Sequence, residues 1–160
     1  MDSGKYFLSI DNGTQSVRAI VFNAQGQLVA KSKIAIEPYF SERPGWAEQH
    51  ADYFWNALCR ACQTLWPLLP IPKESIAAVS VTTQRATVVP MGRNGEPLRP
   101  AISWLDQRQV NTKPALGAVE SALFTLVRAK PLVDLMHSQA EANWIEQHEP
   151  NIWAQVHKFL

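Results

Sequence analysis

The sequence predicts an α/β fold with a mixed sheet, an antiparallel meander whose chain then crosses over through a helix to a parallel strand. Three observations carry this. The first third holds three short apolar or alternating stretches separated by tight polar turns. A strongly amphipathic helical stretch follows them, and a further β-branched apolar run comes soon after it.

Residues 5–10 form an apolar run ending at Asp11-Asn12-Gly13-Thr14, and residues 17–22 resume with a period near two. Asn23-Ala24-Gln25-Gly26-Gln27 is a turn cluster. Residues 28–36 then alternate, with Leu28, Ala30, Ile34 and Ile36 on one face and Lys31 and Lys33 on the other. Three strands on short turns make an antiparallel meander. Residues 37–49 carry Pro38, Pro44 and Gly45 without a period and read as a loop, anchored by Trp46 at a core edge.

From residue 51 to 66 the apolar positions Trp55, Leu58, Cys59, Cys62, Leu65 and Trp66 recur at helical spacing, with Asp52 in the first turn and Pro67 as a stop. Residues 76–81 are expected as a strand buried on both faces. A strand, a helix and a second strand imply a right-handed parallel crossover. That places Asp11-Asn12-Gly13-Thr14 beside Thr82-Thr83-Gln84-Arg85 at the edge where open α/β sheets bind ligands. Residues 87–91 and 101–104 read as a hairpin around Arg93-Asn94-Gly95-Glu96, and residues 106–117 as a helix capped by Asp106. Residues 120–160 are mostly helical in pattern, interrupted by Pro131 and Pro150. Leu132, Leu135 and Met136 form one cluster there, and Ala140, Trp144 and Ile145 another.

The chain has 160 residues, enough for one sizeable core or two very small ones, and one domain is the default. Fifteen basic and fourteen acidic residues nearly cancel, which removes the electrostatic footprint of a nucleic-acid or anionic-membrane binder. Charged residues make up 18%, below the usual ~25%, so some surface is expected to serve contact. No apolar run reaches the ~20 residues of a membrane span, and the first residues lack a signal-type stretch, so the expected location is the cytoplasm. Cys59 and Cys62 form a C-x-x-C, but zinc needs four ligands and no second pair exists. On a helix they read as two small apolar residues.

The loop Asp11-Asn12-Gly13-Thr14-Gln15-Ser16 carries the sharpest chemistry. Gly13 can adopt a positive φ and turn backbone N–H groups toward an anion, and the Thr14 and Ser16 hydroxyls can donate to phosphate. Asp11 can hold Mg²⁺ or its waters, and Arg18 adds positive charge. The same four residues also describe an ordinary hairpin turn. Gln84 and Arg85 suit hydroxyl-rich or anionic ligands, although Arg85 could equally pair with a surface carboxylate. Trp104 beside Asp106 suits a sugar face, and a core Trp with a capping Asp explains them as well.

The run Phe7-Leu8-Ser9-Ile10-Asp11-Asn12-Gly13-Thr14-Gln15-Ser16-Val17-Arg18-Ala19 resembles the opening phosphate-loop motif of the FGGY carbohydrate kinases. Pro44-Gly45-Trp46-Ala47-Glu48-Gln49, residues 78–87 and residues 97–108 follow in the family's order, so the resemblance covers the chain from about Tyr6 onward. It implies an actin-like, ribonuclease-H-like fold and transfer of the γ-phosphoryl of ATP, with Mg²⁺, to a sugar or polyol hydroxyl. By the same resemblance Asp11 lies at the metal and phosphates, Gly13, Thr14, Gln15, Ser16 and Arg18 at the nucleotide phosphates, and Gln84, Arg85, Trp104 and Asp106 around the sugar.

Ala86 departs from the family pattern. Glycerol kinases carry a substrate-binding Glu there, and xylulokinases show Gln-Met-His where this chain has Gln84-Arg85-Ala86, so neither substrate is supported by these residues. The family's general base, an Asp in a later segment, has no counterpart here, and the 160 residues read as a partial N-terminal lobe, inactive alone, with a homodimer as one option. Two other classes compete with this reading. A non-catalytic actin-fold module binding nucleotide or a partner chain fits the fold, but has no need of the sugar cluster. A ribonuclease-H-like nuclease needs several carboxylates at the sheet edge, where only Asp11 stands.

Overall fold

A computed structural model describes residues 4–110 and 116–160 of the chain. The described residues fall into two compact units, residues up to 40 with 49–86, and residues 41–48 with 87–160. The length allows one sizeable core or two small ones, and there are two hydrophobic clusters, one in each unit.

In the first unit, β1 (Tyr6–Asn12), β2 (Ser16–Asn23) and β3 (Leu28–Ala35) form the expected meander. The turn between β2 and β3 closes as its composition predicts: Asn23 Oδ1 accepts from the backbone of Gln25 and Gln27, and Gly26 takes φ +76°. The two-residue strand β4 (Glu48–Gln49) precedes α1 (Ala51–Leu65), and a 3-10 turn at Trp66–Leu68 containing Pro67 ends the helix. After it, β5 (Ile76–Thr82) pairs in parallel with β1, giving the order β3-β2-β1-β5. Alternation puts Leu8, Ile10, Val17, Ala19 and Val21 into the core with Ala57, Ala61 and Leu65 of α1. The two alanines let the helix approach closely, and Ser32 of β3 donates its hydroxyl to the Ala61 carbonyl at 2.6 Å.

Two expectations for this unit are corrected. Trp55, placed on the buried stripe of the helix, is 63% exposed, because the face that meets the sheet is centred on Ala57, Ala61 and Leu65. Strand β5 is exposed along nearly its whole length rather than buried on both faces. It is an edge strand, with Val79 and Val81 more than half exposed, and α1 packs on the far side of the sheet against β2 and β3.

In the second unit, β6 (Pro90–Met91) and β7 (Ala101–Ile102) lie on either side of the predicted turn, where Gly95 takes φ +81°. The expected hairpin is corrected: the two strands join different sheets and, among the described residues, only an isolated bridge, Val88 to Ile102, links the two segments. Among the described residues four helices follow: α2 (Ala118–Leu126), α3 (Lys130–Gln139), α4 (Glu141–His148) and α5 (Pro150–Trp153). Pro131 and Pro150 lie in the first turns of α3 and α5, where the missing N–H costs nothing. The last strand, β8 (Lys158–Phe159), pairs antiparallel with β6, a long-range contact that local pattern does not announce. The core gathers Ile102, Val110, Trp144 and Ile145 with Trp46 against it, as expected of the anchored loop.

Residues 106–110 are not helical, which corrects the helix expected at 106–117. Asp106 instead accepts the Arg108 N–H in a tight turn. Residues 111–115 of that expected helix lie outside the described residues. The anticipated cluster of Leu132, Leu135 and Met136 is also corrected, since all three are largely exposed.

Candidate functional site

The β1–β2 register sets Asp11 opposite Arg18, and Arg18 Nη1 donates to Asp11 Oδ2 at 2.5 Å. Parallel pairing with β5 sets Thr82 beside Asp11 from the other side, where the threonine hydroxyl donates to Asp11 Oδ1 at 3.3 Å. The crossover argument therefore held: Gln84 Nε2 donates to the Gly13 carbonyl at 3.2 Å, tying the two predicted loops together.

Gly13 is needed for a different reason than expected. Its φ is not positive; its N–H donates to the Ser16 carbonyl at 3.1 Å, and a Cβ would sit 3.2 Å from that oxygen. Close approach, not left-handed backbone, selects glycine here. Thr14 is partly exposed and Gln15 exposed, whereas Ser16 is only 3% exposed, so of the two hydroxyls expected at phosphate Thr14 is the more accessible. Asn12 Oδ1 is buried and has no hydrogen-bond partner among the described residues.

Arg85 is exposed and forms no ion pair among the described residues, so the alternative of a surface salt bridge loses its support. Ala86 adopts φ +52°, a left-handed conformation that costs a residue bearing a Cβ about 1–2 kcal/mol. Strain at a loop that closes a sheet edge is a feature of functional sites.

In the second unit Trp104 is half exposed on a turn in which the Asp106 N–H donates to the Ser103 carbonyl. The Asp106 side chain is buried. Its Oδ1 accepts from the Arg108 backbone and Nε, and its Oδ2 from the Ala47 N–H and Arg108 Nη2, at 2.7–2.9 Å. This corrects its reading as a helix cap and leaves little acceptor capacity for a sugar hydroxyl. Arg108 and Arg99 both reach Glu48 Oε1, and Arg99 also pairs with Glu149. Burial alone would lower the Arg108 pKa, but hydrogen bonds and charge from Asp106 and Glu48 outweigh it and push the value up. Sequence reasoning missed this network. The available signal was charge set among tryptophans at Trp46-Ala47-Glu48 and Trp104-Leu105-Asp106-Gln107-Arg108.

Among the described residues no group of three or more His, Cys, Asp or Glu could hold a metal. Both cysteines are free, and burial followed by the neighbouring Cys59 raises the Cys62 thiol pKa, the opposite of an activated thiolate. No helix among the described residues is long and apolar enough to cross a membrane.

The fold is that of solved sugar kinases. The xylulose kinase of Rhodospirillum rubrum superposes with a TM-score of 0.75 at 22% identity, covering 97% of this chain and 32% of that one. The Plasmodium falciparum glycerol kinase with ADP gives 0.57 at 22% identity, covering 93% and 30%. The profile of the FGGY family of carbohydrate kinases, N-terminal domain, matches residues 6–160. This chain belongs to that family. Curated relatives include the glycerol kinases of Alcanivorax borkumensis, 36% identical over 149 residues, and Albidiferax ferrireducens, 35% identical over 148. Each match covers 91% of this chain but 29% of the relative's length.

Proposed function

We propose that this chain supplies the N-terminal part of an ATP-dependent carbohydrate or polyol kinase. The observation that carries the reading is the meeting of Asp11, Arg18, Thr82, Gly13 and Gln84 at one sheet edge. In the reaction a sugar hydroxyl oxygen bonds to the γ-phosphorus, the bond between that phosphorus and the β–γ bridging oxygen breaks, ADP leaves, and a base takes the hydroxyl proton. No residue of this chain is assigned as that base.

The residues fit Mg²⁺ and phosphate. A lone carboxylate is a normal protein contribution to a magnesium site, whose other ligands are waters and phosphate oxygens. Asp11 is partly exposed and would hold the ion directly or through water, while the ion supplies charge neutralisation at the phosphates. Thr14, Gln15 and Arg18 are the proposed phosphate contacts, with Gly13 and Ser16 shaping the loop. Arg18 would then divide its charge between Asp11 and the nucleotide.

We propose Gln84 and Arg85 as sugar contacts; Trp104 is proposed as one separately, from its half-exposed ring. An alanine at 86 beside an exposed Arg85 that forms no ion pair among the described residues favours a substrate larger or more acidic than glycerol. The test is a panel of polyols, ketoses and sugar acids offered to the enzyme that contains this chain. Preference for a sugar acid or larger sugar supports the assignment, and a clear preference for glycerol overturns it. The isolated 160 residues are expected to show no phosphorylation.

A further inference from the structure

We infer that Arg108 and Glu48 are positioning residues for Trp104, and that Asp106 acts through them and not as a sugar ligand. The inference rests on the reading of Trp104 as a sugar contact. Its geometry lies wholly within the second unit.

The turn carrying Trp104 is clamped at both ends to one residue. The Ser103 N–H donates to the Ala47 carbonyl at 2.9 Å, and the Ala47 N–H donates back to Asp106 Oδ2 at 2.7 Å. Trp104 and Leu105 are the two residues between those anchors. Ser103 is 2% exposed while Trp104 is 50% exposed, so an accessible aromatic ring stands on a buried base.

What keeps the clamp shut is charge. Asp106 spends both oxygens on Ala47 and Arg108, about as many hydrogen bonds as a carboxylate accepts. Arg108 is held edge and face: its guanidinium lies 4.0 Å from the Trp46 ring centroid and 4.5 Å from that of Trp144. Its Nη2 reaches Glu48, the residue next to Ala47, so the ring of contacts closes on the segment where it began. Arg99 brings Glu149 into the same network. A buried ion network is poor value as a source of stability, and its best use is to fix one geometry. The geometry fixed here is that of the Trp104 turn.

The test is fluorine NMR on the chain labelled with fluorotryptophan, the resonances assigned by single Trp→Phe substitutions. Asp106→Asn is expected to shift or broaden the Trp104 resonance, with Trp55 of the first unit unchanged and the circular dichroism retained. Glu48→Gln is expected to do the same, and Arg108→Lys not to preserve the wild-type position, since an ammonium cannot replace the two-pronged guanidinium. An unmoved Trp104 resonance in the folded Asp106→Asn and Glu48→Gln variants overturns the inference. So does loss of every second-unit tryptophan resonance together in both, which would make the network a general support of the fold. The measurement uses no sugar or nucleotide, so failure of the kinase reading is seen separately. In a phosphorylation assay of the enzyme that contains this chain, the same Asp106→Asn change is expected to raise the sugar KM several-fold with the ATP KM unchanged. An unaltered sugar KM beside a shifted Trp104 resonance removes the sugar-contact role and leaves the clamp standing.

Discussion

Asp11 and Arg18 face each other across β1 and β2 and form an ion pair at 2.5 Å, with both side chains more than a third exposed. Water screens such a pair, so it adds no more than about 1 kcal/mol to stability. Arg18→Ala is therefore expected to leave the urea midpoint of the chain nearly unchanged. A loss above about 2 kcal/mol would assign the pair to the fold instead of to a ligand.

Ala86 sits at φ +52° at the end of the loop after β5. Glycine there removes the clash of the Cβ with its own backbone, so Ala86→Gly is expected to be neutral or stabilising by up to about 1 kcal/mol, against the usual penalty for introducing glycine. Chemical denaturation measures it. A loss of about 1 kcal/mol would mean that the loop relaxes to negative φ in solution.

Leu65 is fully buried on α1, while Trp55 on the same helix is 63% exposed. Leu65→Ala is expected to cost about 2–5 kcal/mol, and Trp55→Ala less than about 1 kcal/mol. The reverse order in a denaturation series would restore the helix face predicted from the sequence.

Glu141 at the start of α4 has a raised pKa, chiefly from burial, with Asp106 adding to it; its own backbone N–H and Arg108 pull the other way. A raised carboxyl pKa means that the fold prefers the protonated form. That preference stabilises the fold fully below the ordinary value near 4.5 and is lost as pH rises through the raised value. Glu141→Gln is accordingly expected to melt higher than wild type at neutral pH, with the gap closing as pH falls toward that ordinary value. Thermal melts across the range decide it, and a variant less stable at neutral pH contradicts the account.

The meander and the parallel crossover were legible because they depend on local alternation, turn residues and one chirality rule, all readable within a few tens of residues. Asp11, Thr82 and Gln84 met for that reason. The exposure of β5 was not legible, since a continuous apolar run reports what a strand can bury and not whether anything in its own unit covers it. The roles of Asp106, Arg108 and Glu48 were hidden for a related cause: the partners lie some sixty residues apart in sequence, and no local period connects them. Gly13 was placed correctly in the loop but given the wrong reason, because composition does not distinguish positive φ from a close carbonyl.

The central claim is that Asp11 serves ATP-dependent phosphorylation of a sugar or polyol. Its most direct test is ADP release with Mg²⁺ and the substrate panel, comparing the enzyme that contains this chain with its Asp11→Ala variant. The account predicts turnover on at least one sugar and a loss of about a hundredfold or more in the variant, the scale of a removed transition-state electrostatic contact. Turnover undiminished in Asp11→Ala, or no phosphorylation of any sugar by the folded enzyme, would contradict it.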